Sequence, residues 1–198
     1  RKDTFSSVRI DLESFPDIPD KHVVVYHFRA QNKIHIEKIL GSIDDPKTYS
    51  LMAVYNHNLP HVFKNDALKL AKKAKVPPLG NRTDFRHLPL ITIDGEDAKD
   101  FDDAVWAMPD MDPRNPDGWR AVVAIADVSY YVQPGDALDQ EARERGNSVY
   151  FPNHVLPMLP EDLSNGMCSL KPDEDRACLA VEMIISSDGK IKSHHFKR

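Results

Sequence analysis

Six carboxylates and one lysine crowd the ten residues from Asp94 to Asp103, within the stretch ITIDGEDAKDFDDAV that runs from Ile91 to Val105. On an extended backbone Asp100 and Asp102 point the same way, because side chains alternate along a strand. Asp103 points oppositely unless the chain bends there, and a reversal between Gly95 and Lys99 would return Asp94 to the others. Four carboxylates meeting without cations push at least one pKa upward. A hard divalent cation relieves that repulsion, and oxygen-only ligands select Mg2+, Mn2+ or Ca2+ over zinc. Mg2+ held by a few carboxylates, with positions left open, suits phosphate chemistry. Two such ions about 3.5–4 Å apart can stabilise both the attacking and the leaving oxygen.

Other metal patterns fit less well. A helix–loop–helix calcium site needs alternating ligands and a glycine at its sixth position. Counting from Asp94, that position is Lys99. The two cysteines, Cys168 and Cys178, lie ten residues apart with no histidine placed to complete a zinc set. Spacing alone leaves an exposed acidic turn and a metal site level. The tight apolar flanks favour the site, since an exposed turn needs no pair of buried strands to frame it.

Those flanks are expected to be strands. LPLITI (Leu88 to Ile93) is a nearly continuous apolar run and AVWAM (Ala104 to Met108) is a second. A Pro/Asp-rich loop, Met108 to Gly118, leads to WRAVVAIADVSYYV (Trp119 to Val132), a long buried strand. Asp127 ends its apolar core, where it caps a turn or adds a supporting carboxylate; capping is the preferred reading. PGDALDQEARERG reads as a helix with Asp136 as N-cap and Gly146 just past its end. SVYF (Ser148 to Phe151) is a short strand, and a helical turn is expected near Pro160 to Ser164. ACLAVEMIIS, a turn at Asp188-Gly189 and KIKSHHF form a hairpin. Cys168 reads as a small buried apolar residue, not a nucleophile.

The region up to about Asn58 reads as β, with candidate strands at His22 to Phe28, Lys33 to Leu40 and Tyr49 to Asn56. His61 to Lys75 reads as a helix with Asn65 as N-cap and an apolar side of Val62, Leu68 and Leu70. Its lysines Lys69, Lys72, Lys73 and Lys75 read as a solvated face near a helix C-terminus, where the dipole favours cations. VPPLGNRTD then separates the two parts of the chain.

The 198 residues, 41% of them hydrophobic, suffice for a core. Net charge is −5, the same imbalance that Asp94 to Asp103 carries by itself, so the remainder is neutral. This excludes a strongly basic nucleic-acid coat and a generally acidic protein. No apolar run approaches the roughly 20 residues of a membrane helix, and neither a secretory leader nor an obligate protein partner is evident. The opening RKDTFSSVRID lacks an initiator Met, so a piece of a longer protein is expected. Two cysteines make no disulfide framework, and a reducing cytoplasm is the simple reading.

Three long motifs in order, LPLITIDGEDAKDFDDAVWA, GWRAVVAIADVSYYV and SVYFPNHVLPMLPEDLSNGMCSL, closely resemble the bacterial ribonuclease R / ribonuclease II (RNB) family of exoribonucleases. The resemblance spans about Phe85 to Lys197, and SVYFP and LSNGMCSL are nearer the ribonuclease R branch. It implies an α+β chain: residues 1–60 as the end of a cold-shock (OB-fold) β-barrel, 61–84 as a connecting helix and linker, and 85–198 as the N-terminal part of a mixed, strand-dominated RNB catalytic domain. It implies processive 3′→5′ hydrolysis of RNA to nucleoside 5′-monophosphates with Mg2+, or Mn2+ in its place, acting on the 3′ end of single-stranded RNA. Asp94, Asp100, Asp102 and Asp103 match the family's four active-site aspartates. Asp94 and Asp103 would ligate metal with Asp100 completing that set, and loss of Asp102 would stop catalysis. Tyr150 matches the tyrosine that stacks on a base near the 3′ end, whereas its ordinary reading is a strand aromatic in the core. Glu96 and Asp97 stand outside the motif's quartet and are expected to face solvent. An essential arginine, a further acid, a second aromatic clamp and a C-terminal RNA-binding barrel would lie beyond Arg198, so the fragment by itself is expected to be weak or inactive. The Met108 to Gly118 loop is longer than the family pattern. The competing reading is a non-catalytic RNA-binding module.

Overall fold

The computed structural model describes residues 9–11, 17–29 and 33–198. Most of the opening stretch RKDTFSSVRID, and with it the start of the first expected domain, lies outside these residues. The chain forms two compact units, one of residues 1–62 with 149–156 and the other of residues 63–148 with 157–198. Residues 63–84 thus group with the second unit. Among the described residues no helix is long and apolar enough to cross a membrane.

In the first unit, β1 (Arg9–Asp11) pairs in parallel with β3 (Lys33–Ser42), which also pairs antiparallel with β2 (His22–Arg29). Tyr49 to Asn56 is not a third strand. It belongs to helix α1 (Pro46–Asn56), whose N-cap Asp45 accepts a hydrogen bond from Lys47 N–H at 2.9 Å. Asp-Pro here is a helix start, because proline's fixed φ suits the first helical position. α1 lies close against β3: a Cβ on Gly41, at φ +142°, would stand 2.7 Å from Thr48 Oγ1.

The second unit starts with α2 (Asn65–Lys73), whose N-cap is Lys64 and not Asn65. Its buried residues are Ala67 and Ala71, while Val62, Leu68 and Leu70 are exposed. Small side chains four apart let this helix approach its neighbours closely, so the face that packs is not the bulkiest one. β4 (Asp103–Pro109) and β5 (Trp119–Ala126) follow, then α3 (Val128–Tyr131) and α4 (Ala137–Arg145). The long expected strand therefore stops at Ala126. In α4 the Asp136 carboxylate accepts from Asp139 N–H at 2.8 Å, and Gly146 closes the helix at φ +76°. The hairpin of β6 (Val149–Phe151) and β7 (His154–Leu156) belongs to the first unit, where Ser50 Oγ donates to Asn153 Oδ1 at 2.8 Å.

A π-helical turn at Leu163–Met167 precedes β8 (Cys178–Ile185) and β9 (Ile191–Lys197). The sheet order is β4-β5-β8-β9, antiparallel throughout. One face of this sheet buries Val122, Ala124 and Ala180 against Phe85, with Leu88, Leu90 and Trp106 packed alongside. A second core joins Ala67 and Ala71 of α2 to Ala126, Leu138, Leu159, Leu163 and Cys168. LPLITI is not a strand: only Ile91 pairs, through a bridge to Val105, while Leu88 and Leu90 turn into the core. Pro89 lacks the N–H that a ladder requires. The acidic stretch is thus framed by one strand, β4, and one anchored loop.

Candidate functional site

The chain enters the acidic stretch through the Ile91–Val105 bridge, with N–H to carbonyl distances of 3.0 and 2.8 Å. A turn follows, closed by Ala98 N–H donating to Gly95 carbonyl at 3.0 Å. This is the reversal that the glycine foretold. Beyond it, residues 99–102 have no regular secondary structure. Their order comes from outside: Ser169, Leu170 and Ala126 all bond to this short run.

Ser169 Oγ donates to Lys99 carbonyl at 2.8 Å and accepts from Phe101 N–H at 3.1 Å. Leu170 N–H donates to Phe101 carbonyl at 2.8 Å, and Ala126 N–H to Asp102 carbonyl at 2.9 Å. Asp103 then opens β4 opposite Ile125. A loop carrying two candidate aspartates is therefore stitched to the end of β5 and to the segment after the π-turn.

The electrostatics record the crowding. Partial burial pushes the Asp102 carboxyl up, and the charges of Asp100, Asp103 and Asp94 push it the same way. All four expected aspartates thus share one field. Their side chains do not close on a single point: among the described residues no three His, Cys, Asp or Glu side chains are placed to hold a metal ion. Asp94, Asp102 and Asp103 are exposed and Asp100 is half-buried. The donor set, all carboxylate and mutually repelling, fits a hard divalent cation in chemistry. Glu96 and Asp97 are exposed, as expected.

Tyr150 lies on β6 in the first unit and is 70% exposed, so it is no core aromatic. Cys168 is buried, and that burial, with the charges of Asp102 and Asp127, pushes its thiol up to about 12. It carries no thiolate at neutral pH.

Two residues have roles that the sequence did not reveal. Asp127 occupies the N-cap position of α3, where its carbonyl accepts from Tyr130 N–H at 3.1 Å, but its side chain makes no capping bond and turns elsewhere. It is 1% exposed and accepts from Arg82 Nη2 at 2.7 Å, Arg198 Nε at 2.9 Å and Ser129 Oγ at 2.8 Å. Burial pushes its carboxyl up, but these hydrogen bonds outweigh burial and hold it below the usual carboxylate range. Its position at the end of an apolar run marked it as buried; its partners lie 45 and 71 residues away. Ser169, 0% exposed, left no local signal beyond its place in LSNGMCSL.

Comparison with known proteins matches residues 82–198 to the RNB domain. The chain is 47% identical to Ribonuclease R of Vibrio parahaemolyticus over 163 residues, which is 80% of this chain and 19% of that protein. It therefore spans about a fifth of that relative's length. Among solved structures, RNase R of Mycoplasma genitalium in complex with double-stranded RNA is similar at a TM-score of 0.79 and 27% identity, over 96% of this chain and 35% of the other. The same enzyme in complex with ribose methylated single-stranded RNA gives 0.79 and 26%, over 96% and 31%. These similarities agree with the sheet-rich α+β architecture. On the RNB match over residues 82–198, the chain belongs to the RNB-domain family.

Proposed function

We propose that the whole protein of which this chain is a part is a hydrolytic 3′→5′ exoribonuclease that uses Mg2+ to release nucleoside 5′-monophosphates from single-stranded RNA. The observation that carries this reading is the shared field of Asp94, Asp100, Asp102 and Asp103 on a loop pinned at both ends. An isolated acidic turn has no need of such anchoring. Membership of the RNB family and the likeness to RNase R support it. Residues 1–60 would be the end of a cold-shock OB domain, 61–84 a connection and 85–198 the start of the catalytic domain.

Asp94, Asp100 and Asp103 would hold the divalent cation, with Mn2+ able to replace Mg2+. The cation, when bound, supplies charge neutralisation at the phosphate and lowers the pKa of water. Asp102 stands between Asp100 and Asp103, its backbone carbonyl held by Ala126 N–H at 2.9 Å. Its carboxylate would orient the attacking water and take its proton. Tyr150, with most of its ring open, offers a face on which a base stacks irrespective of sequence. Free thiols at Cys168 and Cys178 suit a reducing cytoplasm. The fragment alone would be weak or inactive.

The test is release of 5′-monophosphates from labelled single-stranded RNA by the whole protein with Mg2+. Asp102→Asn is expected to lower it by about a hundredfold or more, the reach of a positioned acid–base group. Unchanged release would remove Asp102 from the chemistry. A second reading, a non-catalytic RNA-binding module, draws on the fact that no three side chains among the described residues converge for a metal. It requires RNA binding with neither metal uptake nor turnover.

A further inference from the structure

Among the described residues, Ser169 is the one side chain seen to bind both flanks of Asp100. Its hydroxyl gives its proton to Lys99 carbonyl at 2.8 Å and takes the Phe101 N–H at 3.1 Å. Both partners lie about 70 residues away in sequence, on a run without helix or strand. The adjacent Leu170 N–H holds Phe101 carbonyl at 2.8 Å, so two consecutive residues grip the same segment. A serine that needed only to satisfy its own buried hydroxyl would require one partner. Here donor and acceptor capacities are spent on peptide groups either side of a candidate ligand. Because Ser169 is 0% exposed, no water replaces the hydroxyl when it is removed without a rearrangement of the segment.

We propose that Ser169 is a positioning residue for the aspartate segment: its hydroxyl fixes the peptide planes around Asp100 and thereby the directions in which Asp100 and Asp102 leave the backbone. It touches neither substrate nor cation. The inference rests on the exoribonuclease reading above. Supporting groups of this kind alter metal affinity or rate by about 10–100-fold when lost.

The experiment uses the whole protein with three measurements on Ser169→Ala: Mn2+ affinity without RNA, RNA affinity without metal, and the separate kcat and KM for monophosphate release with Mg2+. The expected result is Mn2+ affinity and kcat lowered about tenfold or more, with RNA affinity and KM within about twofold of wild type. Wild-type Mn2+ affinity and kcat in the variant would overturn the proposal. So would parallel loss of Mn2+ affinity, RNA affinity and kcat, which marks general unfolding. If Ser169→Ala does not fold, Ser169→Cys, whose larger sulfur fills the site and bonds more weakly to both partners, is read in the same three ways. A wild-type protein that binds Mn2+ but releases no monophosphate would sink the nuclease reading alone, because the Mn2+ measurement still decides the role of Ser169.

Discussion

Arg82 and Asp127 meet at 2.7 Å, Nη2 to Oδ2, with the carboxylate fully enclosed. Arg198 and Ser129 complete its hydrogen bonds, and Asp127 N–H donates to Ala177 carbonyl at 2.9 Å. Ala126, the preceding residue, anchors Asp102 through its own N–H. The buried ion pair therefore stands one residue from a tie that holds the acidic loop.

Removing the charge of Asp127 leaves Arg82 short of its partner in a poorly hydrated place. Breaking a buried pair in this way costs about 3–5 kcal/mol. Asp127→Asn is expected to lower the unfolding free energy by that amount in denaturant titrations, with the slope unchanged.

The same residue sets a pH dependence. The folded carboxyl of Asp127 titrates below the ordinary range, so the folded state binds fewer protons there than the unfolded state. Its stabilisation is present above the unfolded value of about 4 and is lost as the pH falls through the lowered folded value. Acid titration followed by tryptophan fluorescence should show wild type losing more stability over that window than Asp127→Asn.

Asp102 has the opposite sign. Its folded pKa is raised, by partial burial and then by Asp100, Asp103 and Asp94. Its contribution is fully present below the ordinary carboxylate range and is lost as pH rises through the raised value. At neutral pH and without metal, Asp102→Asn should therefore stabilise the fold, by about 0.2–1 kcal/mol for an exposed like-charge cluster. Thermal melts in chelator check this; a destabilised variant would contradict it.

Tyr150 is expected to act through its ring face. Tyr150→Ala should weaken single-stranded RNA binding by about 1–3 kcal/mol, the usual worth of one stacked base. Tyr150→Phe should leave it unchanged, and neither should move the melting temperature, since the side chain is 70% exposed. Equilibrium binding to a short oligonucleotide, read by anisotropy, distinguishes the two variants.

What was legible in the sequence was local. Alternation and β-branching marked β2, β5 and the β8–β9 hairpin, and Asp136 and Gly146 marked the ends of α4. The aspartate spacing marked the loop, and Gly95 its reversal. Tyr49 to Asn56 misled because an apolar run of that length suits strand or helix, and the Asp45-Pro46 start signal reads equally as a turn. LPLITI misled because its hydrophobicity serves core packing by Leu88 and Leu90, not pairing. Val62, Leu68 and Leu70 misled because α2 packs through its alanines. Asp127 and Ser169 depend on partners 45 to 71 residues distant, which no periodicity encodes.

The proposal that four aspartates tolerate one another through a divalent cation is tested most directly by calorimetric titration of Mn2+ into the whole protein and its Asp94→Asn/Asp103→Asn variant. Wild type should take up Mn2+ and gain melting temperature with added metal, and the double variant should do neither. Equal uptake by both proteins, or none by wild type, would contradict a metal site at this loop.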